Sequence, residues 1–325
     1  MTAREIRFAA PGGPDMLKEE SVALPRPAAG EVLVRQTAIG LNYLDVYHRS
    51  GAYPLPLPSG VGSEAAGVVE EIGPGVSLVG AGDRVVYAGG PPGAYASHRN
   101  VAAERLVVVP DGVTDELAAA VMLKGMTVEY LLNRCHAVTP GERVLFHAAA
   151  GGVGLLAGQW GRHLGATMIG VAGGADKCRL AREHGYAEVI DRTSEDVVDR
   201  IKAITDGAGV PVVYDSVGKA TFDVSIASLA PRGLFVSFGT ITGAPPPVEA
   251  SALQKRGSLY FTRPTLVTYT STREELVASA TAVFDLVARG VLVVHIGARY
   301  ALADAARAHA DLEGGKTVGS SILFP

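Results

Sequence analysis

The stretch "HAAAGGVGLLAGQW", residues 147–160, decides the fold. It places Gly151, Gly152 and Gly154 within four positions, directly after apolar "RVLFH" and directly before an apolar helical run. Glycine costs backbone entropy in regular structure, so three together need a reason. The stretch fits G-x-G-x-x-G with Ala149 in the first place, Gly151 in the second and Gly154 in the third. Such a fingerprint is weak alone. Here it follows a strand and opens a helix inside a βαβ unit of the expected length. Gly151 would let the backbone approach a pyrophosphate, and Gly154 would let the helix pack closely on the sheet. The helix N-terminus would turn free N–H groups toward the phosphates. The competing reading is a tight turn without a ligand.

Outward from this turn, strand and helix alternate. Val153, Leu156, Trp160 and Leu164 recur at helical spacing before Gly165. "TMIGVA" reads as a second strand, "ADKCRLAREHG" as a helix and "AEVI" as a third strand. "SEDVVDRIKAIT" is a helix with Val197, Val198, Ile201 and Ile204 on one face. "VPVVYDSVG", "GLFVSFG" and "SLYFT" supply three more strands. This alternation predicts an α/β doubly wound parallel sheet, the Rossmann architecture, over residues 124–264.

Residues 1–123 have a different texture. Short apolar runs such as "EVLVRQTAIG", "AAGVVEEIG", "GDRVVYAGG" and "RLVVVP" are closed by Gly or Pro, as in a small β-barrel. "VSLVGAGDRVV" sets a Gly-rich turn between two apolar runs, and proline-rich "GAYPLPLPSG" reads as a loop. "DELAAAVMLKGMTVEYLLNRC" is helical with Asp115 and Glu116 at its start. Residues 265–325 carry two amphipathic helices, "REELVASATAVFDLVARG" and "LADAARAHADLEGG", and a last strand in "KTVGSSILFP".

The chain has 325 residues, of which 48% are hydrophobic and 19% charged, enough for two folded domains. A net charge of −4 gives no broad basic field, which argues against nucleic acid as the main partner. Cys135 and Cys178 cannot form a disulfide framework. No apolar run reaches the roughly 18 residues of a membrane span, and the charged N-terminus lacks the apolar core of a signal peptide. A cytoplasmic protein is the expectation.

The end of the second strand speaks to the cofactor. A site selective for NAD places an acidic residue there for the ribose 2′-hydroxyl. Asp176 lies at about that distance, but beyond Gly173 and Gly174, in the first turn of the next helix. The glycines leave an open pocket within reach of Lys177, and Arg192 follows the neighbouring third strand. Two cations without an acidic clamp favour a 2′-phosphate, hence NADPH. The alternative is that both are surface charge. No G-x-S-x-G elbow is present, and "GGKT" at 314–317 lacks the first glycine and the helix of a P-loop.

Taken together, "AIGLNYLDVYHRSGAYP", "LPSGVGSEAAGVV", "AGDRVVYA", "LKGMTVEYLL", "HAAAGGVG", "VVYDSVG" and "RGSLYFTRP" resemble the zinc-independent, zeta-crystallin-like quinone oxidoreductases of the medium-chain dehydrogenase/reductase superfamily. The resemblance implies a GroES-like barrel, a central NADPH-binding Rossmann domain, a return to the barrel, a homodimer and reduction of quinones by hydride transfer. It implies that Asn42, Tyr43, Asp45 and Tyr47 line the nicotinamide end of the cleft. Tyr53 would be a pocket aromatic, and Arg263 a polar contact to the quinone. Cofactor contacts are implied at Thr127, Gly152, Val153, Gly173, Gly174, Lys177, Val217, Phe238, Gly239 and Thr240. Arg192 stands where close relatives carry a tyrosine. Lys316 stands near an arginine of theirs and would take its phosphate-facing role.

Zinc-containing relatives have a cysteine early in the barrel and a Gly-His-Glu segment. Here Asn42 and "Gly62-Ser63-Glu64" occupy those places, and the region of their cysteine cluster reads "GGPPGAYASHRN". Zinc needs soft N or S donors, so no metal is expected. A quinone is already an electron acceptor, so the protein mainly aligns the partners and excludes water. The alternatives are reduction of an enone or acrylate double bond, and a non-catalytic, crystallin-like NADPH-binding protein.

Overall fold

A computed structural model describes residues 1–325. The chain divides into two compact units, one of residues 1–126, 269–290 and 294–325, the other of residues 127–268 and 291–293.

The first unit is β-rich. Its centre is the long strand Glu31–Leu41, which pairs antiparallel with Glu64–Ile72, His98–Ala102 and Ser320–Phe324. A further three-stranded sheet joins Thr2–Phe8 to Lys18–Ala23 and Ser59–Gly60. Alternate apolar side chains from these strands meet in one core, including Ile6, Val34, Ile39, Val85, Tyr95 and Leu323. The apolar run Val76–Val79 forms no strand, because the chain turns there on either side of Val79, which alone is buried. "RLVVVP" pairs only over Val107–Val108.

Two short helices organise the polar interior of this unit. Tyr43–Ser50 leaves directly from the central strand. Its first turn is closed by the Asp45 carboxylate, which accepts the Asn42 N–H at 2.9 Å. Ala305–Glu313 follows a turn of 3₁₀ helix at Leu302–Asp304 rather than starting at Leu302.

The second unit is a six-stranded parallel sheet. Its spatial order is Glu188–Asp191, Thr167–Ala172, Arg143–His147, Val210–Asp215, Leu229–Ser237, Tyr260–Thr262. In chain order that is 3-2-1-4-5-6, the doubly wound arrangement expected from the alternation. Leu145, Ile169, Val171, Ile190, Val213 and Phe235 fill its core. The helix expected from Ser194 begins at Val197, because Asp196 caps it by accepting the Asp199 N–H.

The fingerprint helix, Gly152–His163, lies so close to its strand that a Cβ on Gly154 would come within 2.4 Å of the Ala148 carbonyl oxygen. Tyr186 fixes that approach from the other side, its hydroxyl donating to the Gly154 carbonyl at 2.7 Å. Gly154 is therefore a packing requirement.

Candidate active site

At the carboxyl end of the parallel sheet the first strand stops at His147, and the chain turns through Ala148 with φ of 56°. Gly151 caps the helix without any side-chain hydrogen bond, so the leading N–H groups are left to a ligand or solvent. The fourth strand stops at Asp215, whose carboxylate gathers four donors. Oδ1 accepts the N–H groups of Val217 at 2.7 Å and Gly218 at 3.1 Å. Oδ2 accepts the hydroxyls of Thr221 and Ser225, both at 2.6 Å.

Ser225 spends its single proton on Asp215. His147 Nε2, 3.1 Å from the same hydroxyl, must therefore be the donor to it. Burial holds the His147 pKa below its ordinary value, in keeping with a neutral ring. One carboxylate thus ties the end of the first strand to the loop after the fourth.

That loop is zipped to the next one. Thr242 N–H donates to the Val217 carbonyl at 2.8 Å, and Phe238 N–H to the Asp215 carbonyl at 2.9 Å. The Phe238 ring packs on Phe146, centroids 5.6 Å apart. Val217, Phe238, Gly239 and Thr240 are brought together on one rim. At the same end, Arg263 donates to the Ser237 carbonyl at 2.8 Å.

The pocket after the second strand contains an acidic group that motif reading does not single out. Asp191 Oδ1 accepts from Gly174 N–H at 2.9 Å and from the Thr193 N–H and hydroxyl at 3.0 and 2.6 Å. These bonds, led by the Thr193 hydroxyl, hold its pKa below the ordinary carboxylate value. Asp191 shapes the turn at Gly174, which adopts φ of 89°. The Arg192 guanidinium lies against Gly173, 3.0 Å from where a Cβ would be. Asp176 has a side chain 95% exposed and pairs with Arg179 at 3.2 Å. Lys177 is half-buried on the same helix as Asp176.

In the first unit the expected residues cluster around the helix Tyr43–Ser50. The rings of Tyr43, Tyr47 and Tyr53 form a run with centroid separations of 5.7 and 5.1 Å. Burial, with Glu313 nearby, pushes the Tyr43 hydroxyl up to about 12. Asp45 is fully buried. It accepts from the Ser63 hydroxyl at 2.8 Å and the Tyr95 hydroxyl at 3.0 Å, besides the Asn42 N–H. Desolvation outweighs these bonds and raises its pKa to about 6.

The chain of bonds continues beyond Asp45. Tyr95 spends its proton on Asp45, so the His309 Nε2 at 3.2 Å carries a hydrogen and donates to Tyr95. His309 Nδ1 then accepts from Arg49, which holds Glu313 with two bonds of 2.8 Å. Burial, with Arg49 adding to it, pushes the His309 pKa down to about 3. The direction of each hydrogen bond is thereby fixed, from Arg49 through His309 and Tyr95 to Asp45. Asp45, expected at the nicotinamide end, is fully buried, with the Asn42 N–H and the Ser63 and Tyr95 hydroxyls donating to it. Lys316 pairs with Asp311 at 3.2 Å, with its side chain largely exposed.

Asn42 donates its side-chain amide to Glu64 Oε2 at 2.9 Å, and Lys124 lies 3.6 Å from the same oxygen. Ser63, Glu64 and Lys124 belong to the site's surroundings that motif reading left unassigned. The signal for Lys124 was visible as a lone cation in the apolar run "AAAVMLKGM".

Residues 28–111 match the family described as "Alcohol dehydrogenase GroES-like domain" and residues 152–289 the one described as "Zinc-binding dehydrogenase". The donors present do not fit a zinc ion. The Asn42 amide and Ser63 hydroxyl already serve Glu64 and Asp45, and no three His, Cys, Asp or Glu side chains gather to hold a metal. The chain is 51% identical to a quinone oxidoreductase of Pseudomonas aeruginosa, over 99% of this chain and 100% of that one. It is 44% identical to a 2-haloacrylate reductase of a Burkholderia species, over 97% and 96%. The crystal structure of Escherichia coli quinone oxidoreductase complexed with NADPH superposes with a TM-score of 0.98 at 48% identity, covering 99% of this chain and 100% of that one. With a barrel unit, a doubly wound sheet and full-length kinship of this degree, the chain belongs to the quinone oxidoreductases of the medium-chain dehydrogenase/reductase superfamily.

Proposed function

We propose that this protein reduces quinones to hydroquinones with NADPH, without a metal ion. The observation that carries the cofactor choice is the pocket at Gly173, where a guanidinium lies against the glycine while Asp176 is drawn away to Arg179. That arrangement suits a 2′-phosphate, which pairs well with a planar guanidinium. Bound NADPH supplies the hydride.

The chain's own residues hold and aim the partners. The N–H groups at Gly152 and Val153 would face the pyrophosphate, with Gly151, whose own N–H donates to the Ala148 carbonyl at 2.9 Å, letting the backbone approach it. Gly173, Gly174, Lys177 and Arg192 would face the adenosine 2′-phosphate, with Lys316 as a further cation. Val217, Phe238, Gly239, Thr240 and Thr127 of the sheet unit would border the nicotinamide. Tyr47 and Tyr53 offer ring faces to a flat conjugated acceptor, and Arg263 a polar contact. Asp45 positions the tyrosine helix by binding Asn42, Ser63 and Tyr95 at once.

The kinship with a 2-haloacrylate reductase favours one alternative, reduction of an activated carbon–carbon double bond. Steady-state rates with NADPH and NADH against 1,4-benzoquinone and 2-chloroacrylate decide between them. Higher kcat/KM for NADPH with the quinone is expected. Turnover of the acrylate alone would replace the quinone reading, and no turnover of any acceptor would favour a binding protein.

We further infer a homodimer in the cytoplasm. The strand Tyr260–Thr262 is hydrogen-bonded on one side only, at the edge of the sheet, and Tyr260 is 63% exposed. Neither Cys135 nor Cys178 forms a disulfide. Light scattering of the purified chain tests the dimer.

A further inference from the structure

Lys124 sits in the helix Asp115–Tyr130 among fully buried Ala118, Ala119, Ala120, Val121, Met122 and Met126. A lysine in such a setting ordinarily runs its stem along the apolar surface and brings its ammonium out to water. This one does not. The residue is 6% exposed, and Nζ is buried with no hydrogen-bond partner. Glu64 Oε2, at 3.6 Å, neutralises the charge but is too far to accept a hydrogen bond.

Glu64 does not depend on the lysine for its own hydrogen bonds. Its Oε1 accepts the Leu123 N–H and its Oε2 the Asn42 amide. The ammonium's three donors are thus left over. A buried cation with unused donors is costly, and groups of that kind concentrate where an arriving ligand completes them.

The neighbours indicate which ligand. Glu64 Oε2 brings Lys124 together with Asn42, and Asn42 opens the helix that carries Tyr43 and Tyr47, with Tyr53 beside them. Aromatic faces suit a flat conjugated ring, and quinone oxygens are acceptors only, matching a group that only donates.

Building on the quinone-reductase reading above, we propose that the Lys124 ammonium receives a carbonyl oxygen of the quinone and stabilises the negative charge that develops there. The quinone takes up a hydride, two electrons with one proton, from NADPH, which is left as NADP⁺. The product is a hydroquinone monoanion, its charge on a phenolate oxygen. Lys124 keeps its proton and donates a hydrogen bond to that oxygen, and one proton from solvent completes the hydroquinone. The chain thereby holds a fixed organic cation in the barrel unit, whose donors do not fit zinc.

The test compares wild type with Lys124→Arg, Lys124→Met and the double variant Lys124→Met/Glu64→Gln. The double variant leaves no lone buried charge, and its glutamine amide keeps one acceptor oxygen for the Leu123 N–H or the Asn42 amide and sets an NH2 donor in place of the other. Expected is a fall in kcat for 1,4-benzoquinone of about tenfold or more in both methionine variants. The fall should be steeper for less electrophilic naphthoquinones, and Lys124→Arg should recover part of it. The Kd for NADPH, by fluorescence titration, stays within about twofold. A second readout needs no turnover. 4-Nitrophenol bound to the NADP⁺ complex shows its phenolate absorption in wild type and loses it in the double variant. The proposal is overturned if the double variant keeps wild-type kcat/KM across the acceptors, if it loses NADPH binding together with turnover, or if the phenolate signal is unchanged. A wild type that reduces no quinone defeats the quinone reading instead, and the 4-nitrophenol titration then judges Lys124 by itself.

Discussion

The carboxyl edge of the parallel sheet and the polar interior of the barrel unit are built from opposite materials. At the sheet edge the working groups are backbone N–H groups, aimed by glycines and by short side chains gathered on Asp215. In the barrel unit they are charged side chains, with Arg49, Glu64 and Asp45 buried and hydrogen-bonded across the fold and Lys124 buried beside Glu64. The first kind of site is set by local backbone geometry and tolerates almost no added atoms. The second is set by charge balance, and its behaviour follows protons.

The sharpest way to break this contrast is Gly154→Val. Its Cβ would fall 2.4 Å from a carbonyl oxygen that cannot move without moving the turn. A loss of roughly 3 kcal/mol or more in stability is expected, with NADPH binding lost by fluorescence titration. Normal binding would show that backbone there is as forgiving as a side chain.

Next in size is Lys177→Ala/Arg192→Ala. Each charge-assisted contact to a phosphate contributes about 1.5–3 kcal/mol. The double variant should lose NADPH affinity by about a hundredfold or more, allowing for non-additivity, while kcat/KM with NADH changes little. Unchanged discrimination between the cofactors would reduce both cations to surface charge.

The barrel network is probed by acid. The His309 pKa of about 3 lies below its unfolded value of 6.5, so its stabilisation is full above pH 6.5 and is lost as pH falls toward 3. Asp45 runs the other way. Its folded value of about 6 exceeds the unfolded 3.8, so protonation favours the folded state as pH falls through 6. At pH 4 the two come to about 3 kcal/mol lost and about 2–3 kcal/mol gained. His309→Gln should therefore lose about 3 kcal/mol less than wild type between pH 7 and pH 4 in urea titrations, and Asp45→Asn about 2–3 kcal/mol more. Parallel pH profiles would show that the network is electrostatically inert.

The smallest effect is Ser225→Ala, which removes one of four donors to Asp215 and leaves His147 Nε2 without its acceptor. About 1–2 kcal/mol of stability should go, with a several-fold weaker Kd for NADPH. An unaltered Kd would mean that the loop at Val217 needs only its other three bonds.

The same contrast explains what could be read from the sequence. Alternating apolar runs and the Gly151–Gly154 spacing gave away the doubly wound sheet, because both are local signals. The cation at Arg192 was legible from topology, since the third strand lies beside the second. Asp191 was missed because only the turned backbone brings Gly174 N–H to it. The helix Tyr43–Ser50 is short, and its start is marked by an Asn-x-x-Asp pair that periodicity does not detect. Arg49 and His309 are 260 residues apart, and no pattern of spacing links them.

Asp215 carries one more consequence. Two backbone N–H groups and two hydroxyls converge on its two oxygens, and a histidine completes the set through Ser225. A lineage cannot drift through that position one substitution at a time, because any replacement strands several buried donors at once. Asp176, held only by an exposed arginine, can come and go freely. Descent should therefore transmit His147, Asp215, Thr221 and Ser225 as a block, and a designer grafting this sheet edge onto another scaffold would have to move all four together.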